Sequence, residues 1–160
     1  MGKARIIRAR PGDIPNLKAI EIECGLSPWT PTAYQSELKR PDSIMLVARD
    51  GDSALGFIAG RVPLDPNGDA EINNVGVLPE FRHLGLGSRL LKRFRKVCSE
   101  RRVAVIWLEV RASNSGAKAF YRRHGFGSRG IRPGFYRDPV EDAELMSLIL
   151  DNEPPTQQEC

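Results

Sequence analysis

The fold is decided by residues 79–88, whose sequence is PEFRHLGLGS. Residues 70–77 before this stretch predict a strand, and an apolar stripe at helical spacing after it predicts a helix over 88–100. Gly85 and Gly87, one residue apart, allow the backbone to approach a ligand closely. The unpaired N–H groups of the first helical turn, together with the helix dipole, form an anion site at the same place. We therefore expect this loop to bind a pyrophosphate.

The glycine pattern does not fit the two common nucleotide-binding loops. A P-loop requires Gly-Lys followed by Ser or Thr, which this stretch does not have. A dinucleotide fingerprint requires a third glycine where Leu90 stands. Arg82 adds a fixed positive charge beside the glycines. The Gly-x-Gly pair alone is a weak signal, because such a turn often only begins a helix.

The composition is that of an ordinary soluble globular protein. The chain has 160 residues, of which 41% are hydrophobic and 28% are charged. This length predicts one domain, which we place at residues 1–150. No apolar run approaches the ~20 residues of a membrane-spanning helix. Residues 151–160 contain two consecutive prolines and no periodicity, so we expect a disordered tail there.

The charge is mildly basic, with a net charge of +4. Eighteen of the 24 cationic residues are arginine, the residue best suited to phosphate recognition. The charge favours an anionic ligand and leaves nucleic acid and a phosphorylated cofactor both open.

The cysteines and the N-terminus predict a cytoplasmic protein. Cys24, Cys98 and Cys160 are too few and too scattered for a disulfide framework or a zinc site, so no metal is expected. Cys24 continues an apolar pattern at helical spacing, which favours a core residue over a nucleophile. The first residues lack the apolar segment of a secretory signal. A reduced, cytoplasmic setting follows.

The whole chain is predicted to be of the α/β, or α+β, class. A strand, a helix and a strand in succession (70–77, 88–100 and 103–110) predict a right-handed crossover between parallel strands. The strand over 103–110 is almost continuously apolar, which is typical of a sheet centre covered on both sides. The other predicted elements are a strand over 4–10, a helix capped by Asp13, a helix beginning at Thr30, strands over 44–48 and 54–59, a helix capped by Asn114 and closed by Gly125, a loop or short strand over 131–136, and a strand over 143–150.

Several motifs resemble one enzyme superfamily. The Arg-x-x-Gly-x-Gly run at 82–87, following NVGV at 74–77, resembles the acetyl-coenzyme A loop of the GCN5-related N-acetyltransferases (GNAT). The runs WLEVRASN at 107–114 and FYRRHGF at 120–126 are similar to RimI-type N-terminal alanine acetyltransferases of ribosomal proteins. Shorter matches are SPWT at 27–30, FY at 135–136, and EDA at 141–143 with Met146. The resemblance implies a mostly antiparallel mixed sheet, splayed between two central parallel strands, with helices on both faces.

The resemblance also implies acetyl-coenzyme A (acetyl-CoA) as a cosubstrate, lying between strands 70–77 and 103–110. The residues implied to bind it are Val75, Val77, Arg82, His83, Gly85, Leu86, Gly87, Ser88, Asn114 and Tyr121. The cationic face of the helix over 88–100 is either a further contact for the coenzyme's 3′-phosphate or a solvated face.

The family's catalytic glutamate and tyrosine correspond to Glu109 and Tyr121. An amine that attacks a thioester must lose a proton, and Glu109 is the implied base, directly or through water. Half-burial is expected to raise its pKa toward neutrality. Tyr121 is implied to protonate the leaving thiolate, and a backbone N–H at Val75 to polarise the thioester oxygen. Glu71 is the reserve base, since other GNAT branches place the base on strand 70–77.

The same residues have plain structural interpretations. Glu109 could pair with Arg111 on its own strand, and Tyr121 could be a packing aromatic. His83 and His124, which flank glycines, are predicted at the surface.

The acceptor is the least determined part of the prediction. Trp29, Phe135 and Tyr136 are implied to line its groove, or else to be core or lid aromatics. The resemblance favours a protein N-terminal α-amine, with ribosomal protein S18 as the family's usual substrate. The alternatives are a small amine, a lysine or an antibiotic as acceptor, a protein that binds the coenzyme only as a sensor, and a nucleic-acid-binding module. Nucleic acid is the less favoured partner, because the aromatics show no stacking pattern, and no membrane partner is expected.

Overall fold

The computed structural model describes residues 4–151, so the expected disordered tail lies outside the described residues except for its first one. The strands are β1 (Arg5–Arg8), β2 (Ser43–Asp50), β3 (Ser53–Arg61), β4 (Asp69–Val77), β5 (Val105–Arg111), β6 (Gly127–Tyr136) and β7 (Glu141–Ile149). The helices are α1 (Ile14–Glu23), α2 (Pro31–Leu38), α3 (Leu86–Glu100) and α4 (Ser115–Arg123). Short 3-10 turns precede α1 and follow β4.

The strands form one seven-stranded sheet in the order β1-β2-β3-β4-β5-β7-β6. Only β4 and β5 are parallel, joined by the crossover through α3, and every other neighbouring pair is antiparallel. The predicted mixed, mostly antiparallel sheet and its parallel crossover are thus confirmed.

Helices cover both faces of this sheet. On one face, α3 contributes Leu90, Leu91 and Phe94 to the larger core cluster. On the other face, α1 packs Leu17 and Ile20 into a second, smaller cluster. The second cluster includes residues of β2 and β3 but none of β5, so the α1 side of β5 has no helical cover.

The central parallel pair separates along its length. Residues 69–72 of β4 pair with 105–108 of β5, and the pairing stops after Ile72 and Leu108. Asn73 is an extra residue against β3, because Ala59 pairs with Asn74 and Gly60 pairs with Ile72. A bulge of this kind bends a strand and increases its twist. The ends of β4 and β5 therefore diverge, as the resemblance implied.

Two strand predictions were wrong in part. In β5, Ile106, Leu108 and Val110 are buried, whereas Val105, Trp107, Glu109 and Arg111 are only half-buried. The strand is therefore covered on one side, not on both, since α1 and α2 stop short of it. The predicted loop or short strand over 131–136 is a ten-residue strand, β6, whose residues are almost all exposed. Its polar, glycine-containing sequence gave no apolar alternation, so its pairing with β7 was not foreseeable.

Most of the predicted helix ends are confirmed. Thr30 caps α2 by accepting from Ala33 N–H at 3.1 Å, and Asn114 caps α4 by accepting from Ala117 N–H at 3.1 Å. Gly125 follows α4 with a φ of 91°. Asp13 occupies the predicted N-cap position of α1, but its side chain does not cap the helix, since its carboxylate accepts instead from the backbone N–H of Arg10 at 2.8 Å.

Candidate functional site

The divergence of β4 and β5 opens a cleft with two ends. The first end is a cavity of about 510 Å³ lined by residues 75–77, the loop before α3 and one side of α4. The second is a cavity of about 420 Å³ that reaches toward the α1–α2 loop and β6. The two cavities share the lining residues Cys24, Leu26, Val75, Asn114, Ala117 and Tyr121. They therefore form one continuous cleft, which we divide into a donor end, near α3, and an acceptor end, near β6.

The donor end contains free backbone donors at the start of α3. Gly85 precedes the helix with a φ of 83°, a conformation that favours glycine, and no side chain caps this end. Arg89 N–H is the first to close a helical bond, to Gly85 C=O at 3.0 Å. The amides of Leu86, Gly87 and Ser88 thus lie at an uncapped helix N-terminus, where the dipole favours an anion.

The strand end of β4 also directs backbone groups into the cleft. Leu78 N–H donates to Leu55 C=O of β3 at 2.9 Å, so the backbone N–H of Leu78 points away from β5. The N–H and C=O of one residue in a strand point to the same side, and successive residues alternate, so the backbone groups of Val75 and Val77 point toward β5. There the β5 partner has diverged, which leaves these groups facing the cleft.

Arg82 and Cys24 meet at the end of β4. Arg82 Nε donates to Val77 C=O at 2.9 Å, and its Nη2 lies 3.6 Å from Cys24 Sγ. The Cys24 thiol also donates to Val77 C=O, at 3.4 Å. The prediction that Cys24 is a core residue is confirmed only in part, since Cys24 packs against the smaller core cluster but is half-buried and lines both ends of the cleft. Helical spacing placed it on the buried face of α1 but could not show that β4 opens beside it.

Ser88 and His124 connect α3 to α4 across the donor end. Ser88 Oγ and His124 Nε2 are 2.9 Å apart. Burial lowers the pKa of His124, and the charges of Arg95 and Arg123 lower it further. The surface position expected for His124 was wrong, because it is half-buried and its ring lies 4.7 Å from the ring of Phe120. His83 is exposed, as predicted, and it lines the donor end.

Glu109 is the most buried carboxylate at the acceptor end. Its side chain is 16% exposed, and its Oε1 lies 3.5 Å from Arg132 Nε on β6. Burial raises the pKa of Glu109; the Arg132 charge opposes this rise and the Glu71 charge adds to it. Arg111 does not pair with Glu109 as the plain interpretation supposed, since its Nη1 bonds Glu141 at 3.2 Å. Glu71 lines the same cavity but is exposed.

Tyr121 stands where the two ends join. Its ring packs edge-on against Phe120 and Phe126, with centroids 5.4 Å and 5.5 Å away. Burial raises the pKa of its hydroxyl well above the usual value, so this group remains protonated at neutral pH. The packing interpretation is thus correct for the ring, and the residue also lines both cavities.

Aromatic side chains surround the acceptor end on two sides. Phe135 and Tyr136 of β6 contact each other at 5.0 Å, and the Arg111 guanidinium lies 4.4 Å from the Tyr136 ring centroid. Burial raises the pKa of Tyr136 to about 12. Opposite them, Trp29 lies 5.2 Å from the buried Tyr34 ring.

A buried carboxylate fixes the loop that carries Trp29. Glu21, only 1% exposed, accepts from Trp29 N–H at 2.6 Å and from Tyr34 Oη–H at 3.2 Å. Lys18 Nζ donates to Trp29 C=O at 2.7 Å, so both backbone groups of Trp29 are held. Sequence reasoning missed Glu21. The only available signal was a charged residue beside Ile20 on the apolar side of the predicted helix.

The structure brings all the predicted binding and catalytic residues to this cleft. The donor end is lined by Val75, Val77, Arg82, His83, Gly85, Leu86, Gly87 and Ser88, the acceptor end by Trp29, Glu109, Phe135 and Tyr136, and both by Asn114 and Tyr121. Within residues 4–151 there is no group of three His, Cys, Asp or Glu side chains placed to hold a metal ion, and no helix long and apolar enough to cross a membrane.

Comparisons of sequence and fold with known proteins identify a family. The model of the acetyltransferase (GNAT) family matches residues 14–126. The N-alpha-acetyltransferase RimI of Mycobacterium tuberculosis is 36% identical over 137 residues, 85% of this chain and 84% of that protein. The ribosomal protein bS18-alanine N-acetyltransferase of Escherichia coli K12 is 34% identical over 140 residues, 86% of this chain and 92% of that protein. The crystal structure of the ribosomal-protein-S18-alanine N-acetyltransferase from Escherichia coli matches with a TM-score of 0.82 at 30% identity, over 96% of this chain and 97% of that one.

The fold, the cleft and these matches define the class of protein. The chain belongs to the GNAT family of acetyltransferases. Within that family, the relatives place it among the RimI-type enzymes, over nearly the full length of both chains.

Proposed function

We propose that this protein transfers an acetyl group from acetyl-CoA to the N-terminal α-amine of a protein, in a ternary complex without a covalent enzyme intermediate. The observation that carries the proposal is the continuous cleft between β4 and β5, with free backbone donors at one end and the half-buried Glu109 at the other. The names of the relatives support ribosomal protein S18 as the acceptor, and hence a cytoplasmic place of action.

The donor end has the chemistry to hold the coenzyme. The free amides at the start of α3 fit a pyrophosphate, and the left-handed Gly85 exposes them. Arg82, His83 and Ser88 stand around the same loop. The inward peptide groups of Val75 and Val77 would pair with the amides of the pantetheine arm, as a neighbouring strand does, with Asn114 opposite them. When bound, acetyl-CoA supplies an activated acetyl group whose sulfur leaves as a thiolate.

Glu109 would act as the general base. The acceptor amine must lose a proton as its new N–C bond forms, and Glu109 takes that proton, directly or through one water. Burial raises the pKa of Glu109 above the ordinary value of a glutamate. This shift is toward neutral pH, where general-base catalysis is most effective.

Tyr121 would act as the general acid. It lies at the junction of the two ends, where the carbon–sulfur bond breaks, and its hydroxyl stays protonated because burial raises its pKa. It gives its proton to the leaving sulfur. The amine proton on Glu109 and the hydroxyl proton of Tyr121 then account for both proton transfers of the reaction. The inward N–H of Val75 would stabilise negative charge on the acetyl oxygen.

The single base suits an α-amine better than a lysine. An α-amine has a pKa of about 7.8, so a substantial fraction is neutral near pH 7, whereas a lysine at about 10.4 is almost wholly charged. The aromatic walls formed by Trp29, Phe135 and Tyr136 would contact the first residues of a peptide chain.

The test is a comparison of acceptors by mass spectrometry. Purified protein is incubated with acetyl-CoA and an equimolar mixture of an alanine-starting peptide, the same peptide with a blocked N-terminus and one internal lysine, and a small polyamine. We expect an added acetyl group on the free-N-terminus peptide alone. Preferential acetylation of the lysine or of the polyamine would contradict the proposed acceptor class.

A further inference from the structure

Arg132 is the cation that contacts the proposed base. It projects from β6, with its Nε 3.5 Å from Glu109 Oε1 and its guanidinium 5.8 Å from the ring centroid of Phe135. The two side chains differ in exposure, at 54% for Arg132 and 16% for Glu109. Among the ion pairs of residues 4–151, this is the one that involves Glu109.

Two other arginines, Arg61 and Arg111, line the acceptor end, whereas Arg132 reaches it through its contact with Glu109. Both of these lining arginines are held in place. Arg61 donates both Nε and Nη2 to Glu37 at 2.9 Å. Arg111 is fixed by Glu141 and by the ring of Tyr136. Arg132, by contrast, has one long ion-pair contact with Glu109 and a distant contact with the Phe135 ring, and its side chain is more than half exposed. An exposed ion pair of this kind is weak. Of the three, only Arg132 is free to move away at small cost.

A cation beside Glu109 stands where the acceptor must arrive. An α-amine is largely an ammonium at neutral pH, so it is attracted to the Glu109 carboxylate. It releases one proton to solvent to become the neutral nucleophile, and Glu109 takes the second proton as the N–C bond forms. We propose that Arg132 is a positioning residue of the acceptor site: it neutralises Glu109 in the free enzyme, and the ammonium group of the acceptor displaces it. This inference rests on the proposed function, because it takes Glu109 as the base.

In the free enzyme, Arg132 would stabilise the charged form of Glu109. Burial and the charge of Glu71 on β4 both favour the protonated form of Glu109, and the charge of Arg132 opposes them. Tyr136 of β6 also lies nearby and stays neutral, because burial and the Glu109 charge raise the pKa of its hydroxyl. Without an adjacent cation, the free enzyme would hold more of Glu109 in that protonated form, which attracts no ammonium and accepts no proton. Arg132 keeps the carboxylate charged until the acceptor's own charge replaces it.

The direct test follows the Glu109 carboxyl carbon by ¹³C NMR as the pH is varied, with the signal assigned by its loss in Glu109→Gln. Four proteins are compared: wild type, Arg132→Gln, Arg132→Lys and Arg129→Gln. The last is a matched control, since Arg129 lies on the same strand but its Nε donates to Ser147 Oγ at 2.7 Å. We expect Arg132→Gln to raise the midpoint by about half a pH unit or more, while the lysine variant and the control stay near wild type.

The second half of the test adds the acceptor. With coenzyme A and a saturating alanine-starting peptide present, the midpoints of wild type and Arg132→Gln are expected to coincide, because the peptide ammonium now occupies the same place. The KM for the peptide is expected to fall about two- to fivefold in Arg132→Gln above the midpoint, with kcat changed by less than twofold.

An unchanged midpoint in free Arg132→Gln, or a difference from wild type that persists with the peptide, would overturn the inference. These titrations need no turnover. A protein that passes them but acetylates no peptide would refute the proposed function and leave the Arg132 contact standing.

Discussion

Two carboxylates at the acceptor end differ in one physical respect, their contact with water. Glu71 on β4 is exposed, whereas Glu109 on β5 is largely covered by β6 and the neighbouring aromatics. Desolvation penalises the charged form, so Glu109 holds a proton at higher pH than a solvated carboxylate does. The cleft thus contains one half-buried and one exposed carboxylate, whose roles can be separated by mutation.

The variant Glu109→Gln is expected to lower kcat by about 100-fold, the usual contribution of a general base, with little change in coenzyme affinity. In wild type, kcat is expected to fall as the pH decreases through the raised pKa of Glu109, because protonation removes the base. That decline should disappear in the variant. Steady-state kinetics across pH and calorimetric titration with coenzyme A measure the two effects.

Glu71→Gln is the matched control, since it removes an exposed carboxylate from the same cavity. We expect it to retain kcat within a few-fold. If Glu71→Gln loses more activity than Glu109→Gln, the base is on β4 and the role given to Glu109 is wrong.

The sequence motif located the polar residues of the cleft but not their partners. Glu109 was identified, yet its ion pair with Arg132 crosses from β5 to β6, a strand that the sequence did not predict at full length. The contact of Ser88 with His124 likewise joins two helices far apart in the chain. Such pairings depend on tertiary packing, which periodicity does not report. Glu21 was missed for the same reason, because its partners lie in the following loop and in α2.

At the level of the elements, the close packing of β3, β4 and α3 holds the bulged strand in position. Gly60 pairs with Ile72, directly beside the extra residue Asn73. A methyl group at Gly60 would lie 2.7 Å from the Phe94 ring and would also clash with the Glu71 carbonyl oxygen. Strand β3 therefore has no room for a side chain at Gly60, where it packs against the bulged strand β4.

Gly60→Ala is expected to destabilise the protein by about 2 kcal/mol, the usual cost of overpacking a core. This corresponds to a fall in Tm of about 4–8 °C for a domain of this size. Differential scanning calorimetry measures it. Gly127→Ala is the control, because a methyl group there meets no atom within 4 Å. Equal Tm values for the two variants would show that the β3–β4 contact is looser than described.

The elements that the sequence predicted well are those with strong local signals. The helix starts at Thr30 and Asn114 and the turn at Gly125 follow from capping chemistry, and the structure contains all three. The cap expected at Asp13 failed because the Arg10 backbone and the Arg49 side chain compete for its carboxylate. Local rules decide helix ends only where no tertiary partner takes the side chain.

At the scale of the whole molecule, the site exists because two layers of helices cover the sheet incompletely. The α3 layer buries one face of β5, while the α1 layer stops at the neighbouring strands. The half-buried side of β5 then carries Glu109 into the cleft. The mixed sheet and its parallel crossover were predictable from the order of elements. The missing helical cover on one face of β5 was not predictable, because an apolar strand has a similar sequence whether one face or both faces are packed.

A crystal structure with bound coenzyme A would show whether the divergence of β4 and β5 holds the coenzyme. We expect the pantetheine arm between residues 73–77 and 109–111, and the pyrophosphate about 3 Å from the amides of Leu86, Gly87 and Ser88. Coenzyme bound elsewhere on the protein, or an empty cleft at saturating coenzyme, would contradict this expectation.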